Sequence, residues 1–161
     1  MPRLGNPIVY DLLDVAFGLA ETRGRPNLRK AAHRRAVSSA YYAVFHALCF
    51  VCASELLGWT QPNTLVEPVY RLLDHGAAKQ RLKGRGALAI GPQIVDIGNN
   101  FIDLQEARNL ADYSPPGLLV RHDETLRLIA LAAQTVTLIE QLPTSDRKQL
   151  AVLLIAKPRL A

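Results

Sequence analysis

Cysteine is scarce in this chain: only Cys49 and Cys52 occur in 161 residues. Two thiols cannot build a disulfide framework, which needs more cysteines and an oxidising compartment. A structural zinc site needs about four ligands. His46 and Cys49 could share a helical face, but no second ligand pair occurs elsewhere. Two buried, apolar-like thiols are therefore expected, and no metal. Period-2 alternation is also missing, which argues against strands. So are low-complexity tracts, repeats of solenoid length and a GxxxxGK[ST] phosphate loop. The apolar run "LIALAAQTVTLI" is short and holds Gln134 and two threonines, whereas a membrane span needs about 20 largely apolar residues. The N-terminal "MPRLGNPIVYDLLD" carries acids where a signal peptide is apolar. The expectation is a soluble, cytoplasmic protein with no membrane contact and no cofactor.

Acidic residues are outnumbered, 14 against 19 basic ones, for a net charge of +5. A mild basic excess is compatible with an anionic partner but does not demonstrate one. Hydrophobic residues make up 49% of the chain, enough to bury the core of a single domain over residues 1–161. Helix formers dominate, and the breaks fall at glycine and proline. Helices are predicted over about 8–22, 27–57, 64–80, 93–109 and 119–141, with Asn27 capping the second. A short last helix is predicted from a Thr144 or Ser145 cap to before Pro158. "KGRGALAIGP" (83–92) and "ADYSPPG" (111–117) read as loops. The architecture expected is all-α: an antiparallel bundle of four core helices plus a short C-terminal helix.

The second helix has an unusual surface. At about 100° per residue, Ser39, Tyr42 and His46 fall within about 40° of Arg35, with Ser38 and Cys49 to one side. Most of the remaining circumference is apolar, as in a buried helix. The polar seam then faces solvent, a cleft, or hydrogen-bonding partners on another helix. Ser, Tyr and His suit a semi-buried cleft better than an open face, where Lys and Glu are usual.

The fourth helix offers a partner. Ile94, Ile97, Phe101 and Leu104 fall within about 40° of Arg108. A charge that continues an apolar stripe is costly unless paired. One reading pairs Arg108 with Asp112, or has it cap carbonyls at the helix end, and lays Tyr113 over the core. The other joins Arg108 and Tyr113 to the Arg35–Tyr42–His46 seam as an anion-binding cleft.

Together, "RRAVSSAYYAVFHALC" and "EARNLADYSP" resemble the HEPN superfamily of small helical bundles, and "LLDHG" (72–76) looks like the third-helix segment of one bacterial branch. The resemblance covers roughly residues 8–140. It implies a homodimeric bundle, often beside a nucleotidyltransferase partner in toxin–antitoxin pairs. It also implies binding of RNA or nucleotide, in many members with metal-independent ribonuclease activity. The motif arginine would be Arg108 and its polar neighbour Asn109. Tyr113 stands where the motif histidine is needed. A phenol with a reference pKa near 10 is a poor base at neutral pH, so weak or lost cleavage is expected, and His46 is the one replacement base on offer. Arg35, Ser39, Tyr42 and Asp112 would complete the ligand-binding set. Lys79, Arg81, Lys83 and Arg85 could follow a phosphate backbone, although no aromatic residue lies among them for base stacking. The rival readings are a dimerising scaffold for a nucleotidyltransferase and an active ribonuclease with an atypical base.

Overall fold

The computed structural model describes residues 3–157. Among them are eight helices and no strand: α1 (Ile8–Ala20), α2 (Pro26–Leu56), α3 (Asn63–Tyr70), α4 (His75–Lys83), α5 (Arg85–Ile90), α6 (Pro92–Tyr113), α7 (His122–Glu140) and α8 (Thr144–Ile155). The expected all-α bundle is what forms. α1, α2, α6 and α7 are its long helices, α8 is the short C-terminal one, and α3 to α5 bridge α2 and α6.

Side-chain contacts give the helix directions. Tyr10, early in α1, donates to Glu140 at the end of α7 at 2.5 Å. Glu21, just past α1, meets His122 at the start of α7 at 2.9 Å. α1 and α7 therefore run antiparallel. Early α2 meets late α6, because Ser38 bonds Asp112, while Tyr41 packs on Phe101 farther back along α6. These two are antiparallel as well.

α2 is the axis of the fold and touches α1, α3, α6, α7 and α8. It is also long and apolar enough to cross a membrane, but 78% of its most apolar 18-residue window is buried inside the bundle. Its charge-free stretch, 36–54, is longer than the 128–139 run that the sequence singles out. Small residues at Ala36, Ala40, Ala43 and Ala47, all fully buried, allow close approach of neighbouring helices. Ile94, Ile97, Phe101 and Leu104 of α6 are fully buried too, each burial contributing roughly 1.5–3 kcal/mol. Cys49 and Cys52 are buried and unpaired. Burial raises both thiols, Cys52 to about 12.

Several boundaries differ from the sequence expectations. Arg25, not Asn27, precedes α2, and Pro26 takes the first helical position, where a missing N–H costs nothing. The predicted 64–80 helix is two helices. Leu73 turns into the core between them, and Asp74 caps α4 by accepting the Ala77 N–H at 2.8 Å. The predicted loop over 83–92 contains α5. α6 runs four residues past 109, to Tyr113, so all of "ADY" is helical. α7 begins at His122, later than expected. Neither Thr144 nor Ser145 caps α8, whose flanking residue is Pro143. Pro158 lies outside the described residues.

Candidate functional site

The site is built where early α2 crosses late α6. Arg108 Nε lies 3.1 Å from Asp112 Oδ2, and the two side chains are only 13% and 14% exposed. That Nε–H is poorly aligned for a hydrogen bond, so the contact is an ion pair. Arg108 Nη2 donates to the Tyr42 hydroxyl at 2.7 Å, and Nη1 to Asn109 Oδ1 at 2.9 Å. Ser38 Oγ donates to Asp112 Oδ1. The guanidinium carbon sits 5.4, 5.3 and 5.7 Å from the ring centroids of Tyr41, Tyr42 and Tyr113, within cation–π range. Burial alone would lower the Arg108 pKa. The Tyr42 hydrogen bond and the charge of Asp112 outweigh it, and the pKa is raised. Two of the three guanidinium nitrogens donate hydrogen bonds within the chain, and Asp112 answers the charge.

The two readings of Arg108 are thus partly reconciled. It pairs with Asp112, as the simpler one holds. It also joins Tyr42 and, more loosely, Arg35, whose guanidinium is 3.7 Å from Asp112. Tyr113 does not cover the core: it is 75% exposed. Ser38 is the serine that faces α6, fully buried. Ser39, placed in the ligand set from the sequence, is half-buried and makes no side-chain hydrogen bond among the described residues. Asp112, assigned there as well, is taken up by Arg108 and Ser38.

Arg35 and Tyr113 edge a recess of about 440 Å³, with Ala31, Arg34, Ala111 and Asp112 as its other walls. Arg34, which the sequence reading passed over, donates to the Ser114 carbonyl at 2.9 Å and to that of Pro115. These carbonyls lie at the end of α6, where an arginine suits the orphan acceptors and the negative end of the helix dipole.

Two histidines lie deeper. His46 Nδ1 is 2.6 Å from the Tyr70 hydroxyl, which also accepts from Asn6 Nδ2 at 2.8 Å. His75 Nδ1 is 2.6 Å from the Tyr41 hydroxyl, and its ring stacks on Phe45 at 3.9 Å. Burial lowers the pKa of both imidazoles; Arg108 adds to the effect at His75. Burial also pushes Tyr70 up to about 12 and raises Tyr41. Each phenol thus keeps a proton that it can donate to Nδ1, and in that tautomer the neutral ring carries its own proton on Nε2. His75, not His46, is the imidazole nearest Arg108: both rest against Tyr41 and Tyr42. The "LLDHG" segment was the signal that could have found it.

The basic segment 79–85 is not a free loop: apart from Gly84 it is helical. Lys79 pairs with Glu106 at 3.2 Å, and Arg81 donates to the Leu154 carbonyl. Both lie in α4. Only Lys83 and Arg85 are exposed without a carboxylate partner among the described residues. Comparison of the chain with family models, with curated proteins and with solved structures finds no match.

Proposed function

We propose that this is a HEPN-type module of a bacterial toxin–antitoxin or defence pair, cytoplasmic and homodimeric, that binds RNA or nucleotide phosphate with weak or lost cleavage. The observation that carries the reading is the recess between Arg35 and Tyr113. Arg35 is 67% exposed at its side chain and held only by a long contact to Asp112, so its charge is open to a phosphate. The exposed Tyr113 ring offers a stacking face for a base. Arg108 holds Asp112 and Tyr113 in place from behind.

Weak cleavage follows from the hydrogen bonds of the histidines. A general base must have a free lone pair within reach of the proton it takes. With the phenols of Tyr70 and Tyr41 donating to Nδ1 of His46 and His75, that lone pair is occupied and the other nitrogen carries hydrogen. Tyr113 is a phenol itself.

The second reading is a dimerising scaffold for a nucleotidyltransferase, favoured by the closure of Arg108 within its own chain. Fluorescence anisotropy with a short single-stranded RNA and with ATP separates the two. Tyr113→Ala and Arg35→Ala should each weaken binding about tenfold, since one stacked base contributes roughly 1–3 kcal/mol. A folded dimer by light scattering that binds neither ligand would leave the scaffold. In a cleavage assay, Tyr113→His should raise the low activity of the wild type, and adding Arg108→Ala should remove the gain.

A further inference from the structure

A larger cleft, of about 860 Å³, opens on the other side of early α2, between the α1–α2 turn and the start of α7. Its charge is lopsided. The sequence has no acid between Glu21 and Glu55, yet Arg23, Arg25, Arg29, Lys30, Arg34 and Arg35 fall within thirteen residues. Of the cations lining the cleft, Arg121 is paired with Asp123 at 3.3 Å. Glu21 is taken by His122. Arg23, Arg29 and Lys30 line it with no carboxylate partner among the described residues.

The walls are tied together without using those three cations. His33 Nδ1 donates to the Val120 carbonyl at 3.0 Å, joining α2 to the segment before α7. The His122–Glu21 contact joins α7 to the end of α1. A cleft with fixed walls and unanswered positive charge is pre-organised for an anion, because little is lost in ordering it. Three charges spread over an open cleft suit successive phosphates of a chain better than one compact ion, and the volume lies in the range of ligand sites. We propose that this cleft seats the phosphodiester backbone of single-stranded RNA through Arg23, Arg29 and Lys30. The ligand class rests on the function proposed above. The cleft shares no lining residue with the Arg35–Tyr113 recess.

The test is anisotropy of the full chain with a 12-nucleotide RNA over a salt series, comparing the Arg23→Ala/Arg29→Ala/Lys30→Ala variant with Lys83→Ala/Arg85→Ala and with Arg35→Ala. Arg23 and Arg29 are exposed and Lys30 is half-buried, so a melting curve checks that the triple variant folds. Three phosphate contacts to a single strand contribute about 2 to the slope of log affinity against log salt. The triple variant should lose at least about tenfold in affinity at low salt and about 2 of that slope, while the Lys83/Arg85 variant changes little. Wild-type binding by the triple variant, with loss in Arg35→Ala, would overturn this site and leave the recess standing. Equal loss in the Lys83/Arg85 variant would reduce it to general surface charge. Triphosphate binding that depends on the same three residues, without RNA binding, would replace the RNA chain by a free nucleotide. No RNA binding by the wild type would end both proposals.

Discussion

A guanidinium wedged between two helices destabilises a protein unless its charge and donors are answered. Arg108 is answered by Asp112, Tyr42 and Asn109, and Asp112 in turn by Ser38. Removing one member strands the others. Arg108→Ala should cost about 3–5 kcal/mol, since breaking a buried pair leaves an uncompensated charge. Asp112→Ala should cost a similar amount, and the double variant clearly less than the sum, because the two residues share one interaction. Urea unfolding of the three variants measures this. Additive losses would mean that the pair is not the unit it looks to be. Tyr113 is the opposite case. Its exposure makes Tyr113→His close to neutral for stability, within about 0.5 kcal/mol, so its effect on cleavage can be read directly.

At the scale of helices, the approach of α4 to α6 depends on one missing side chain. A Cβ at Gly98 would sit 3.0 Å from the Leu82 carbonyl oxygen and 3.2 Å from Leu82 Cβ. Backbone cannot swing aside as a flexible side chain can. Glycine inside a helix ordinarily costs about 0.5–1 kcal/mol relative to alanine, so Gly→Ala normally stabilises. At Gly98 the sign should reverse, with a loss of about 1–3 kcal/mol from overpacking. Gly18, on the exposed side of α1, has nothing within 4 Å of its notional Cβ. Gly18→Ala should stabilise by up to about 1 kcal/mol. Thermal melts of the two variants should move in opposite directions, and a Gly98→Ala protein as stable as the wild type would show that α4 rides loosely on α6.

Across the whole molecule, two half-buried histidines are tied to phenols. His46 faces Tyr70. His75 faces Tyr41, Phe45, Gln105, Arg108 and Asp74. Both pKa values are lowered from 6.5, so the unfolded chain binds protons more readily than the folded one. Their contribution is complete above about pH 6.5 and is lost as the pH falls through the folded values. Glu124, lowered from 4.5 by its bond to Arg127, gives way only at more acidic pH. Denaturant midpoints should therefore drop between pH 7 and pH 5, and the drop should shrink in His46→Gln. A flat profile over that interval would mean that the imidazoles ionise without penalty.

The sequence by itself determined the helical class, the depth of α2, and the apolar stripe of α6 that ends in Arg108. Periodicity fixes which residues share a face, and glycine and proline fix most of the breaks. It did not determine what each face meets. Ser38 rather than Ser39 reaches Asp112 because the position of α6 around α2 selects among serines only about 100° apart. His75 joins the arginine through a chain reversal that no local pattern encodes. The apolar residues of 128–139 and 150–156 are largely spent on the chain's own core: Leu128, Ala132, Val136, Ile139, Leu150 and Leu154 are all buried. Apolar patterning states how much surface has to leave water. Only the packed bundle decides whether it is covered from within or by a partner.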